Sequence, residues 1–206
     1  VAQVDGLMRA LSLPFLPVVN GQLYRCSYPA AEFKGLPSLA VHEAEKPGPR
    51  DVHNFKRANI FEDQAEAMSF VFAPGETIYG VSDADGKFKH GTLFKLKTDG
   101  SGFVVLHDFY GGDNDGQSPT SLLLLPDGTL FGAAGKVFRY DPKTQQFAIL
   151  KLDPKDDAPT VLAGCAADGT IVGVSGGFAI VGGGLSVVSM AADGSNYLSF
   201  VNSQFG

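Results

Sequence analysis

Three residues near the start of the chain have side chains suited to catalysis: Arg25, Tyr28 and His42. An arginine can hold a carboxylate or a phosphate through paired hydrogen bonds, and a histidine or tyrosine can act as a general base. Together they fit a lyase or isomerase that acts on an anionic substrate. The alternative is structural, in which Arg25 pairs with Glu32 or Glu43 at a sheet edge and His42 is locally hydrogen bonded.

A second set of candidates consists of aromatic residues and one histidine in loop stretches, where binding residues concentrate on a rigid scaffold. These candidate ligand-binding residues are Phe33, Phe61, Phe88, His90, Tyr110 and Phe178. The expected ligand is a small molecule or a glycan, and the abundance of Phe (16, with no Trp) favours an apolar or mixed ligand over a sugar. The alternative is that these rings cover the core and that His90 is a general base or an exposed, locally bonded side chain.

Metal and cofactor motifs are weak. Asp83–Gly86 and Asp113–Gly116 carry acidic or amide residues at alternate positions, as calcium loops do at their start, but no distal Glu follows, and solvated turns are favoured. No two histidines are spaced as zinc ligands, no nucleophile elbow occurs, and the Gly-rich stretches precede no helix. We therefore predict no metal and no cofactor.

Charge and hydropathy limit the partners. The net charge is −6, from 16 Lys+Arg against 22 Asp+Glu, and the basic residues form no cluster. Nucleic acid and anionic membrane surfaces are therefore poor partners. No apolar run reaches the roughly 18–20 residues that a membrane span requires, so no membrane span is predicted.

The elements that must position the candidates are short strands between regularly spaced turns. Gly21, Gly75, Gly128 and Gly169 close four such turns, 54, 53 and 41 residues apart. Each turn follows an apolar run and precedes three further short strands, and a period of about 40–50 residues with four strands is typical of a propeller blade. The apolar runs are predicted as the innermost strands.

The sequence thus predicts an all-β fold, a small β-propeller of about four four-stranded antiparallel blades in a single domain over residues 1–206. The predicted blades are 7–60, 64–110, 117–152 and 157–203. The long connections lie on one face of such a fold, so we expect any pocket there, near the axis. The ring either closes within this chain, forms part of a larger ring, or is completed by a second copy as a homodimer.

One stretch carries a family resemblance. GTLFKLKTDGSGFVVLHDF (91–109) followed by DGQSPTSLLLLPDGTLFG (115–132) resembles the tandem repeat of GloVer-type proteins, which are β-propeller-like and mostly bacterial exported proteins. The resemblance is strong over 76–134, weaker over 136–200 and faint over 1–60. It implies a secreted or periplasmic repeat protein, and it carries no catalytic residue onto this chain.

Departures from the repeat separate the remaining interpretations. Arg25 stands where the other units have Gly80, Gly132 and Gly173, and a first unit with its own residue types is expected of a single enzyme site. A binding module or a structural segment of a larger repeat protein fits the near-equivalent later units. His53 and His107 occupy equivalent positions, which favours a structural role. Cys26 and Cys165 form either one bridge between the first and fourth units or two buried thiols.

Overall fold

The computed structural model describes residues 18–19, 22–27, 38–43, 50–54, 69–83, 85–112, 114–152, 158–175 and 186–201. The regular structure in these ranges consists of β-strands, which form four antiparallel four-stranded sheets. The first sheet contains β1 (Val18–Val19), β2 (Gln22–Ser27), β3 (Ser38–Glu43) and β4 (Arg50–Asn54), and the second contains β5 (Ser69–Ala73), β6 (Thr77–Ser82), β7 (Thr92–Lys97) and β8 (Val104–Asp108). The third contains β9 (Ser121–Leu124), β10 (Leu130–Ala133), β11 (Val137–Asp141) and β12 (Gln146–Ile149), and the fourth contains β13 (Val161–Cys165), β14 (Ile171–Ser175), β15 (Ser186–Met190) and β16 (Leu198–Val201).

Within every sheet the strands follow chain order, each pairing with the next. The four antiparallel four-stranded sheets predicted from the repeat are therefore confirmed. The chain divides into two compact units, residues 1–56 with the first sheet and residues 57–206 with the other three. No helix long and apolar enough to cross a membrane occurs in the part of the chain that the structure describes.

Aspartates shape the tight turns of the second unit. In five of these turns the carboxylate of an aspartate accepts the backbone N–H of the residue two positions further on, at 2.8–2.9 Å. These hydrogen bonds hold the pKa of each of the five carboxyls below its usual value. The residues are Asp99, Asp127, Asp141, Asp168 and Asp193.

A glycine in the second strand of a sheet lies beneath a phenylalanine of the third strand. Gly80 pairs with Phe94 and Gly132 with Phe138, and a Cβ on either glycine would lie 2.3 Å or 2.1 Å from the Cζ of the facing ring. In the first sheet the large residue is on the second strand and the small one on the third, since Arg25 pairs with Ala40. The replacement of Gly by Arg noted in the sequence is thus matched by a small residue on the neighbouring strand.

Successive sheets of the second unit are joined through their first strands. Ser69 Oγ of β5 accepts the N–H of Leu122 in β9 at 3.0 Å, and Ser121 Oγ accepts the N–H of Leu162 in β13 at 2.8 Å. We call these the serine links. A hydrophobic cluster fills the space between each pair of sheets, the first around Leu93 and Leu130 and the second around Phe131, Ile171 and Met190. The first strands therefore adjoin one another, as predicted for the inner strands of blades.

Of the two arrangements considered for the cysteines, the structure has Cys165 as a free thiol. It is half-buried at the end of β13, and its Sγ lies 3.4 Å from the carbonyl oxygen of Ala166.

Candidate ligand-binding site

Two loops at one end of the second sheet bring together a pair of exposed aromatic rings. The loop at 83–91 joins β6 to β7, and the loop at 109–120 joins β8 to β9. Phe88 is 44% exposed and Tyr110 is 52% exposed, and their rings meet edge to face with centroids 6.2 Å apart. The Lys87 ammonium lies 5.1 Å from the centre of the Phe88 ring, within cation–π distance. The result is a solvent-facing aromatic surface with a cation at one side.

Tyr110 is fixed by a buried carboxylate. Asp115 is 1% exposed, and its Oδ2 accepts the backbone N–H of Tyr110 at 2.6 Å. Its Oδ1 lies 2.6 Å from Nε2 of His107, and because a carboxylate can only accept, the imidazole donates this hydrogen bond. Asp115 therefore ties the loop that carries Tyr110 to the outer strand β8.

The third sheet holds His107 in place. The Phe147 ring of β12 stacks on the imidazole with centroids 3.6 Å apart and planes 6° apart. Phe109 meets the same imidazole edge to face at 4.9 Å. The two phenylalanine rings cover His107, and its side chain is only 19% exposed. Because Phe147 belongs to the third sheet, the position of the Tyr110 loop depends on the packing of the second sheet against the third.

The neighbouring residue of β8 holds the other loop. Asp108 Oδ1 accepts the backbone N–H of Lys87 at 2.8 Å. Deeper in this loop, the Asp85 carboxylate accepts from the hydroxyls of Ser82 and Thr92, the latter at 3.1 Å. The adjacent residues His107 and Asp108 thus position the two loops, one through Asp115 and the other directly.

Polar groups lie beside the aromatic pair. A methyl group on Gly111 would lie 3.3 Å from Cδ2 of His90 and 3.2 Å from Oε1 of Gln117, so the imidazole and the amide adjoin the residue that follows Tyr110. Gly111 has a φ of 82°, which favours glycine. The carbonyl of His90 also accepts the N–H of Ser118 at 2.8 Å, which joins the two loops directly. The surface therefore offers a donor or acceptor imidazole and an amide next to two rings.

Three predicted ligand-binding residues, Phe88, His90 and Tyr110, belong to this one cluster. The other three, Phe33, Phe61 and Phe178, lie outside the described residues, as does the catalytic candidate Tyr28. Arg25 and His42 lie on adjacent strands, opposite Ala40 and Leu23 respectively, and their side chains are outside the described part. The convergence of Arg25, Tyr28 and His42 on one pocket stays a prediction.

The interpretation of Asp113–Gly116 as a solvated turn is wrong for Asp115. Its carboxylate is buried because it satisfies both His107 and the backbone of Tyr110. The sequence signal was the repeated His in the outer strand, whose structural role is borne out at His107, but its partner could not be identified from spacing. Lys87 and Gln117 were also missed, because neither has a motif. No group of three or more His, Cys, Asp or Glu side chains in the described ranges is placed to hold a metal ion.

Comparison with known proteins supports the fold alone. No family model matches the chain, so membership of the GloVer-type family is not shown, and no curated protein sequence matches it. Among solved structures it is similar to a puromycin-hydrolysing peptidase of Mycobacterium tuberculosis, with 17% identity and a TM-score of 0.59 over 90% of this chain and 28% of that chain. It is also similar to TolB from Acinetobacter baumannii, with 13% identity and a TM-score of 0.58 over 88% of this chain and 40% of that chain. An α-L-arabinofuranosidase from Clostridium thermocellum matches with 11% identity and a TM-score of 0.53, over 90% of this chain and 70% of that chain.

The chain thus spans less than half the length of the peptidase and of this TolB. What these structures have in common with it is the β-propeller type of fold, which the repeat predicted.

Proposed function

We propose that this protein is an extracytoplasmic β-propeller module that binds small molecules or glycans through the aromatic surface formed by Phe88 and Tyr110. The single observation that carries the proposal is the exposure of these two rings, 44% and 52%, in loops whose backbone N–H groups are bonded to the carboxylates of Asp115 and Asp108. Exposed rings held by a rigid scaffold bind ligands at a low cost in conformational entropy.

The polar neighbours favour a ligand that has both an apolar face and hydroxyl groups. One face of such a ligand would pack on the Tyr110 ring, and its hydroxyls would bond to His90 and Gln117, which adjoin Gly111. A sugar ring or a small amphipathic molecule has this combination. The location outside the cytoplasm rests on the resemblance of the 91–132 stretch to an exported repeat.

The test is binding of the full chain to soluble xylan, laminarin and dextran by affinity electrophoresis, and to cyclohexyl β-glucoside by tyrosine fluorescence. The chain has 6 Tyr and no Trp, so tyrosine emission is observable without interference. We expect at least one of these probes to bind. Tyr110→Ala should weaken binding by about tenfold or more, because truncating an aromatic anchor typically costs about 2 kcal/mol.

The matched control is Phe200→Ala, since Phe200 is a 62% exposed ring on the fourth sheet, away from these loops. It should leave binding unchanged. The proposal fails if none of the four probes binds, or if Phe200→Ala weakens binding as much as Tyr110→Ala does.

A further inference from the structure

A cleft of about 210 Å³ opens between the second and third sheets, at the end opposite the loops of the aromatic surface. It lies beside the short turns that join β7 to β8 and β11 to β12. Its walls are formed by Tyr79, Lys95, Val104, Val105, Leu106, Tyr140, Pro142 and Gln145. The space is large enough for a small organic molecule.

Among the residues that the structure describes, the hydroxyl of Tyr140 has no partner in this cleft. Tyr140 is 3% exposed, and no side chain or backbone group in the described ranges forms a hydrogen bond with its hydroxyl. Buried hydroxyls without a partner are uncommon in folded proteins, because the lost hydration is not replaced. An unpaired donor that lines a cleft indicates a partner that enters from outside the chain.

The equivalent position in the next interface shows that a hydroxyl is not needed for packing. Register places Tyr79 of β6 at the same rung as Phe131 of β10, and Tyr140 of β11 at the same rung as Met190 of β15. Between the third and fourth sheets these positions are apolar, and Phe131 and Met190 are 0% and 1% exposed. The two phenols therefore occur in the interface between the second and third sheets and not at the equivalent positions between the third and fourth.

Two further groups of the cleft are hydrogen-bond donors. Lys95 lies directly opposite Tyr79 in the strand register, so its ammonium is on the wall that carries this phenol. Gln145 contributes an amide from the β11–β12 turn, where it has a φ of 59°, a conformation that costs energy for a residue with a side chain. Burial raises the pKa of both tyrosines, so both hydroxyls keep their protons at neutral pH and act as donors.

The charges near the cleft include one carboxylate. Asp141 adjoins Tyr140, but its Oδ1 already accepts the N–H of Lys143 at 2.8 Å. Lys95 supplies the opposite charge on the facing wall. The remaining lining residues are apolar: Val104, Val105, Leu106 and Pro142.

We propose that this cleft binds a small organic carboxylate with an apolar tail, its oxygens bonded to the two tyrosine hydroxyls and the Lys95 ammonium. These three donors line one cleft, and no acceptor for them occurs among the described residues, which matches the acceptor-only chemistry of a carboxylate. The tail packs against Val104 and Leu106. This site is independent of the aromatic surface and does not rest on the function proposed above.

The experiment is a titration of the full chain with sodium benzoate and sodium isobutyrate, followed by amide chemical shifts in ¹H–¹⁵N spectra. We expect shifts at Lys95 and Gln145 and none at Phe88 or Tyr110. Benzamide and isobutyramide, which have the same shape without the charge, should shift these signals far less. Shifts confined to other regions, no shifts with either carboxylate, or equal shifts with the amides would overturn the proposal.

Two variants separate binding from a structural role. Tyr140→Phe and Lys95→Met should each weaken benzoate binding by about tenfold or more, because each removes a hydrogen bond to a charged group. Tyr140→Phe should not lower the midpoint of urea unfolding, because the hydroxyl has no partner among the described residues. Phe200→Ala, which changes an exposed ring of the fourth sheet outside both sites, is the control and should leave benzoate affinity unchanged. Unchanged affinity in Tyr140→Phe, or a lower unfolding midpoint together with unchanged affinity, would refute the assignment.

Discussion

The two interfaces of the second unit use the same register positions but differ in chemistry. Both have a serine link, Ser69 to Leu122 in one and Ser121 to Leu162 in the other. The interface between the third and fourth sheets is apolar at the positions of Tyr79 and Tyr140, whereas the interface between the second and third has two phenols and a cleft. Shared positions hold the sheets together, and positions that depart from the repeat form the candidate sites.

The aromatic content of the interfaces differs in the same way. Between the second and third sheets, the His107 imidazole and the rings of Phe109, Phe138 and Phe147 stack or meet edge to face. The connections between second and third strands also differ. The second sheet has the loop at 83–91, whereas the third sheet has a short turn of three residues, 134–136. The loops that display Phe88 and Tyr110 thus occur where the interface has the rings to support them.

Of the variants considered, Gly132→Ala is expected to lower the free energy of unfolding most, because the new methyl group meets a ring of the aromatic interface between the second and third sheets. The new Cβ would lie 2.1 Å from Cζ of Phe138, which is 0% exposed and packed against Phe109 and Phe147. Because the ring cannot move away, we expect the free energy of unfolding to fall by about 3 kcal/mol. Urea denaturation measures this.

The control for this prediction is Gly164→Ala in β13, where a Cβ would meet no atom within 4 Å. It should change the free energy of unfolding by less than about 1 kcal/mol. Equal losses in the two variants would show that the Phe138 ring is not the cause.

His107→Leu makes the second sheet resemble the third, in which Leu150 lies at the equivalent rung opposite Val137. The change leaves Oδ1 of the buried Asp115 without its hydrogen-bond donor, and we expect a loss of about 2 kcal/mol, because a buried charged acceptor that loses its donor is costly. Amide hydrogen exchange at Tyr110 should accelerate, because its acceptor, Asp115, would then reorient toward water.

The control is the amide of Ser101, which belongs to a turn outside this network. Its exchange rate in His107→Leu should equal that in the wild-type protein. If Tyr110 exchanges at its wild-type rate in His107→Leu, Asp115 holds the loop without the imidazole, and His107 has only a packing role.

The repeat allowed the strands and their order to be predicted, because turn chemistry and apolar runs are local. Gly75, Gly128 and Gly169 have positive φ and occupy the turns expected of them. The boundaries differ by a few residues, since the predicted third blade extends to residue 152 whereas its last strand, β12, ends at Ile149. Three members of the loop set, Phe88, His90 and Tyr110, were also identified from their position between strands.

The partners of these residues could not be predicted, since they depend on contacts between segments distant in sequence. Asp115 is a turn residue by its neighbours and becomes a buried anchor only because β8 places His107 beside it. In the same way, nothing local distinguishes Tyr140 from other strand tyrosines. The role that we propose for it depends on the absence of an acceptor among the described residues across the interface, which is a property of two sheets together.

Replacing the serines of the two serine links tests whether both interfaces are stabilised by the same hydrogen bond. Ser69→Ala and Ser121→Ala each leave a backbone N–H of the next sheet without an acceptor, at Leu122 and Leu162 respectively. We expect losses of about 1–2 kcal/mol in the free energy of unfolding, similar for the two variants. Ser101→Ala, in an exposed turn, is the control and should be nearly neutral. A loss in only one of the two variants would mean that the links are not equivalent.

Alkaline unfolding should show the smallest difference between the interfaces. Burial raises the pKa of Tyr79 and Tyr140 above that of an exposed tyrosine, and for Tyr140 the charges of Tyr79 and Asp141 add to this. As the pH rises past about 10, the tyrosines of the unfolded chain lose their protons before those of the folded chain, so the free energy of unfolding falls. The double variant Tyr79→Phe/Tyr140→Phe should lose less stability than the wild type between about pH 9 and pH 11. Tyr110→Phe, which changes an exposed ring, should follow the wild-type curve in urea denaturation at stepped pH. Parallel curves for the wild type and the double variant would show that the two phenols are hydrated, which would remove the chemical difference between this interface and its apolar sister.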